Sequence, residues 1–413
     1  MRRAVVLLGV SGVLFSTSSE AATILASSCF SSSSSCYSSS CVTGGADGSA
    51  TASWPVCAIQ QAINSASAGD TVLVDAGFWN ASTTISLAGG ITLRGQLADG
   101  SGNATVASLV FTGSGQLVTG SYNALTNDVN IVGLKIDGSS AADNWTPLVT
   151  MLNCVGCAFT ANYVVTQPDG SYPSVLLMGG GSTTVSSNSF IPGPSGSGGS
   201  QLQLNPLGTP STILPNNSGF EVYSNYFEGV GLTEIGLSDI RIHGNRIVDT
   251  STWQYATGIN FSPPYGGESH NISICDNYIN APYNFAVITG VPEDGGGQGS
   301  ITGLVISGNV INSTRSMIGI NSYDSSYCLG NCTTLTNTSD VVVSNNFLNS
   351  AWTSSEIRLD GGTMSGSVQN VTAQGNILTG TNPSETDPTT IFYDSNTHNM
   401  NIANNLCPGA SCS

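Results

Sequence analysis

The run Glu356-Ile-Arg-Leu-Asp360 sets two carboxylates and a guanidinium at alternate positions. Alternate side chains of an extended strand share a face, so Ile357 and Leu359 would point inward and the charged trio outward. Three other runs have the same shape: Ile259 and Phe261 bracket Asn260, Ile318 and Ile320 precede Asn321, Tyr323 and Asp324, and Ile391 and Tyr393 precede Asp394. If these runs stack, Asn260, Asn321, Arg358 with Asp360, and Asp394 form one outward stripe, with Glu234 near its N-terminal end. Hydrolysis of a glycosidic bond needs two carboxyls, one of them protonated, about 5–9 Å apart. Asp324, Glu356, Asp360 and Asp394 are the candidates, on adjacent repeats or close in sequence, with Arg358 to orient the substrate. An eliminating enzyme would instead need a base and a cation beside a uronate carboxyl. Arg358 is the only base-type cation on the stripe, and its acidic neighbours could hold Ca²⁺ for that purpose. Asn260 and Asn321 would bind substrate hydroxyls. Trp253, Tyr255, Tyr283 and Trp352 follow at a regular offset and could stack on sugar rings, with Tyr265, Tyr323 and Tyr327 closing over them. The plain alternatives are a surface salt-bridge cluster and aromatics that shield the edges of repeats.

What must position these residues is a repeat. The frame apolar-x-apolar-x-x-Asn-x-apolar occurs around Asn162, Asn188, Asn225, Asn245, Asn277, Asn309, Asn346, Asn376 and Asn405, at separations of 26, 37, 20, 32, 32, 37, 30 and 29 residues. A unit of that length cannot bury an apolar face alone and must stack on its neighbours. Apolar residues two apart define a strand face, and Asn tolerates the left-handed backbone of a sharp corner. Stacked corners would bring the amides about 4.8 Å apart, where each can donate to and accept from the next. A leucine-rich horseshoe uses a similar frame. Here, however, Leu fills only slots 304, 348 and 378, the others being mostly Ile, Val or Phe, which suit strands. A second strand-like run precedes each framed one in the long repeats. The expected architecture is an all-β, right-handed parallel β-helix of about 10–12 coils.

The stretch from Cys57 to Trp79 (CAIQQAINSASAGDTVLVDAGFW) resembles the start of the pectin-lyase-like β-helix superfamily, and Ile91-Thr-Leu-Arg-Gly95 and Val129 to Gly138 resemble its next coils. The resemblance covers roughly Trp54 to Cys407. It implies an N-terminal amphipathic helix, with Ile59, Ala62 and Ile63 as its apolar stripe, capping the open end of the core. Secreted members of that superfamily mostly act on polysaccharides. The Lys–Arg pair of its alginate and chondroitin lyases, the Asp-Pro-His-Glu signature of its epimerases and the Asn-Thr-Asp, Asp-Asp and Gly-His-Gly signatures of its polygalacturonases have no counterpart here. The resemblance therefore implies a fold more than an activity.

Met1-Arg-Arg followed by the apolar run to Phe15 and small residues at Ala21 and Ala22 reads as a signal peptide over residues 1–21. Residues 22–53 read as a Ser/Cys-rich leader and 54–413 as one β-helix domain, exported to an extracellular or periplasmic space. No other run is long enough for a membrane span. The formal charge of −17 argues against nucleic acid as a partner and favours a neutral polysaccharide, or an anionic one held through Ca²⁺. Eleven cysteines in an exported chain suggest disulfides. Cys154 with Cys157, Cys328 with Cys332, and Cys407 with Cys412 are close enough to pair locally. Cys29, Cys36, Cys41 and Cys57 could tie the leader to the helix, leaving Cys275 over. His243 and His270 read as solvated surface residues. The reading that follows is a secreted protein that binds an extracellular polysaccharide and cleaves its glycosidic bonds. The competing one is a non-catalytic adhesin, tailspike-like fibre or cell-surface structural protein.

Overall fold

The computed structural model describes residues 21–35, 53–96, 107–141, 146–167, 173–193, 201–205, 218–229, 231–235, 237–248, 258–262, 268–281, 286–289, 299–313, 317–320, 336–350, 357–359, 367–380, 391–393, 395 and 397–407. Their strands wind into three long sheets, every pairing between coils being parallel. The chain visits the first, second and third sheet in turn, making eleven complete coils among the described residues. The first sheet has thirteen strands, from Thr23–Leu25 to Thr397–Ala403, and the second twelve, from Ser53–Pro55 to Ile377–Gly380. The third runs from Ile85–Leu87 to Ile391–Tyr393. This is a right-handed parallel β-helix.

Strands form because β-branched and aromatic residues alternate with polar ones, and the coils stack because each alone exposes its apolar side. Register then converts repetition into columns. Ile242, Ile274, Ile306, Val343 and Ala373 lie one above another in the first sheet, all wholly buried. In the second sheet Phe190 and Phe227 stack at 4.7 Å and 6° between planes. Each buried side chain of this size contributes about 1.5–3 kcal/mol.

The asparagines form one continuous ladder at the corner between the first and second sheets. In each step the Asn Nδ2 and backbone N–H both donate to the Oδ1 of the next, as from Asn277 to Asn309 at 3.0 Å. The second Nδ2 hydrogen meets a strand carbonyl one coil back, Ile242 for Asn277 at 3.0 Å. The expectation for backbone geometry is corrected. The left-handed residue is the one before each ladder Asn: Ala161, Ser187, Ser224, Asp276, Asn345 and Asn404 hold φ of 54–57°, and Gly244, Gly308 and Gly375 hold 61–67°. The bend is made at that position, so the Asn is needed for its amide and not for its tolerance of positive φ.

The cap is α1 (Cys57–Ser65), which buries Ala58, Ile59, Ala62 and Ile63 against the first coil. Its Gln60 also closes the free edge of the third sheet. The side-chain amide accepts the Ser86 N–H at 2.7 Å and donates to the Ser86 carbonyl at 3.1 Å, as a further strand would. Within the stretch read as a leader, Thr23–Leu25 pairs with Thr71–Val74 as the first strand of its sheet. Asp70 fastens it by accepting the Ala22 N–H at 2.7 Å.

Cys154 and Cys157 are joined, with Cα atoms 5.8 Å apart. Cys29, Cys57 and Cys407 are each disulfide-bonded, and Cys275 is a free thiol. Cys328, Cys332 and Cys412 lie outside the described residues. Among the described residues no helix is long and apolar enough to cross a membrane.

Candidate functional site

The outward face of the third sheet is where the sequence put the chemistry. Register draws one line along it: Gln203, Thr233, Asn260, Ile288, Gly319, Arg358 and Phe392. Asn260 and Arg358 thus share a line, three strand spacings or about 14 Å apart. The single stripe expected from the sequence is corrected in two places, and between Asn260 and Arg358 on the Ile318–Ile320 strand the line passes through Gly319. Glu234 pairs with Leu204 and Phe261, one position off the line through Thr233 and Asn260, because the strand starts at Leu232 and places it third. Tyr393 pairs with the buried Leu359 yet is 44% exposed. It sits on the last strand of its sheet among the described residues. Asp324, Glu356, Asp360, Asp394, Asn321, Trp253, Tyr255, Tyr323 and Trp352 lie outside the described residues.

Two amides on this face have an unmet valence. The Oδ1 atoms of Asn260 and Asn205 are shielded from solvent and meet no hydrogen-bond donor. Asn205 follows Leu204 in register beside Met178, on the outward line next to that of Gln203 and Asn260. A shielded carbonyl without a donor costs about 1–3 kcal/mol, so the position gains from a ligand or water that brings an O–H. Arg358, half-buried, adds rigid planar donors at the far end of the line. Amides with a guanidinium, spaced along a groove-like strand face, suit a hydroxyl-rich chain.

A second polar cluster, on the first sheet, was missed. His243 Nε2 lies 2.9 Å from Glu221 Oε1, with Arg241 3.8 Å from the same oxygen. The His243 ring stacks on Tyr223 at 5.2 Å, and Cys275 is its register neighbour on the next coil. His270 faces Asp239 at 3.7 Å. Neither histidine is isolated. The signal was available, since Glu221 and Arg241 stand four residues before their ladder Asn, and Tyr223, His243 and Cys275 two before theirs. Among the described residues no three of His, Cys, Asp and Glu converge to hold a metal.

Coils, cap and ladder together define the class: a right-handed parallel β-helix. No protein-family profile matches the chain, and no curated protein matches its sequence. Solved structures do match. A hyperthermoactive exopolygalacturonase from Thermotoga maritima is similar with a TM-score of 0.65 at 12% identity, over 90% of this chain and 91% of that one. The Streptococcus pneumoniae surface protein and adhesin PfbA is similar with a TM-score of 0.55 at 13% identity, over 85% and 92% of the two chains. A family 28 exopolygalacturonase from Yersinia enterocolitica reaches 0.54 at 12% identity, over 94% and 78%. At such identities the likeness is one of fold.

Proposed function

We propose that the protein is secreted, binds an extracellular polysaccharide along the outward face of the third sheet, and hydrolyses its glycosidic bonds. The observation that carries this is the shielded, unpartnered Oδ1 of Asn260 on the same outward line as Arg358. A sugar hydroxyl would satisfy that carbonyl, and the guanidinium would hold a second oxygen further along the chain. Glu356 and Asp360 flank the Arg358 strand by one residue on either side and share its parity. With Asp324 and Asp394 they form the pool from which a general acid and a general base or nucleophile would come. Asn321 would assist binding, and Trp253, Tyr255, Tyr323 and Trp352 would supply stacking surfaces. The acidic chain favours a neutral polymer, or a uronic one bridged by Ca²⁺. The fold neighbours that act on polygalacturonate agree with a carbohydrate role.

The test is release of reducing ends, and of ultraviolet-absorbing unsaturated products, from a polysaccharide panel with and without chelator. Reducing ends without unsaturated product are expected. Asp360→Asn or Asp324→Asn should lower turnover at least about a hundredfold with binding retained. Asn260→Ala should weaken binding about tenfold. Binding without any product would make the protein a non-catalytic surface binder, and no binding at all would end the carbohydrate reading of this face.

A further inference from the structure

The outward face of the second sheet carries two parallel lines of side chains that the third-sheet site does not use. Register aligns Tyr226, Arg246, Tyr278, Val310, Phe347 and Ile377 on consecutive coils. Two residues further along the strands runs an amide line of Asn280, Asn312, Asn349 and Thr379. The first line is open to solvent: Val310 is 39%, Phe347 40% and Ile377 38% exposed. Its rings stand on every second coil, about 9.6 Å apart. The guanidinium carbon of Arg246 lies over the Tyr278 ring, 4.8 Å from its centre. The two lines are cross-linked and so held in place. Asn312 Nδ2 donates to the Tyr278 hydroxyl at 3.3 Å, Asn349 Nδ2 to Asn312 Oδ1 at 3.2 Å, and Thr379 Oγ1 to Asn349 Oδ1 at 3.2 Å.

We propose that this double line is a separate binding track for an extended, uncharged polysaccharide lying parallel to the helix axis. A pyranose presents a C–H face and a rim of hydroxyls. Exposed rings receive the face, and an amide row beside them receives the rim. Rings two coils apart leave a step that linked sugar units bridge, with Val310 as a low floor between Tyr278 and Phe347. Charge selects against the alternatives. The described charges on the two lines are Arg246 and Glu228, of opposite sign, so the track itself is neutral. The −17 of the whole chain repels a polyanion at the low salt where such fields reach furthest.

The experiment is retention of the full protein on particles of cellulose, xylan, mannan, β-1,3-glucan and chitin. It compares wild type, the first-sheet control Arg241→Ala, whose side chain is 61% exposed, and the double variant Tyr278→Ala/Phe347→Ala, with thermal melts to confirm that each is folded. The expected result is that at least one polymer retains the wild type, that Arg241→Ala keeps this retention, and that the double variant weakens it at least about tenfold. Retention of the wild type by none of the polymers, or equal retention of the double variant, overturns the proposal. So does a wild-type oligomer that the double variant dissociates, since the face would then join copies of the chain. Equal loss of retention in Arg241→Ala also overturns it, since retention would then not depend on this track.

Discussion

Asn309 is wholly buried and every polar atom of its amide is used. Its Nδ2 donates to Asn346 Oδ1 and to the Ile274 carbonyl, and its Oδ1 accepts two N–H groups from Asn277. Asn309→Ala would strand two buried donors and one acceptor at about 1–3 kcal/mol each, so a loss of roughly 3–9 kcal/mol is expected in urea unfolding. Asn405, half-exposed at the end of the ladder, should lose clearly less as alanine, because water replaces the missing partner. Equal losses at the two positions would refute this account of the ladder. Asp70 gives the pH counterpart. The Ser67 and Ala22 N–H groups hold its carboxyl below its ordinary value of 3.8. A depressed carboxylate stabilises the fold above its unfolded value and loses that contribution as pH falls through the folded one. The stability gap between wild type and Asp70→Asn should therefore be full at neutral pH and shrink as pH falls below about 4. A gap that is flat from pH 7 to 2 would contradict it. The ladder was legible in the sequence because a buried amide admits almost no substitute. The left-handed residue before it was not, because Ala, Ser, Asp, Asn and Gly all stand there.

Between elements, a close approach lies where the Val175–Gly181 strand pairs with Val149–Val155. Gly180 pairs with Cys154 and has φ +85°, and a Cβ there would come within 2.0 Å of the Cys154 carbonyl oxygen. That obstacle is backbone, pinned by the Cys154–Cys157 bridge, so it cannot turn aside as a side chain would. Gly180→Ala should cost at least about 3 kcal/mol from overpacking plus positive φ. Gly113 also has positive φ but meets nothing within 4 Å, and Gly113→Ala should cost only about 1–2 kcal/mol. Chemical denaturation of both variants checks the contrast, and similar losses would show that backbone strain alone governs. The strands of the first and second sheets were readable by counting from the ladder. From Asn130 onward two residues always separate a first-sheet strand from the next second-sheet strand. The third sheet was not, because corners of unequal length flank it on both sides. That is why Glu234 was assigned to the wrong line, and why the Glu221–His243 contact, on a sheet where counting works, could have been found.

At the scale of the whole molecule, the charge deficit, the repeat and the cap each pointed to one solenoid, and the coil number fell within the expected range. Function was less legible, since chemistry on this fold depends on side chains brought together across coils, and only the register says which coils align. The register also fixes a dimension. The first sheet has thirteen strands, hence twelve gaps of about 4.8 Å, which set Thr23–Leu25 and Thr397–Ala403 roughly 58 Å apart. Corners may lengthen or shorten without altering that distance, because it depends on how many coils there are and not on what joins them. The protein is therefore a gauge block: whatever is tethered at one end is held at a set reach from whatever is held at the other, and the reach changes only in whole strand spacings.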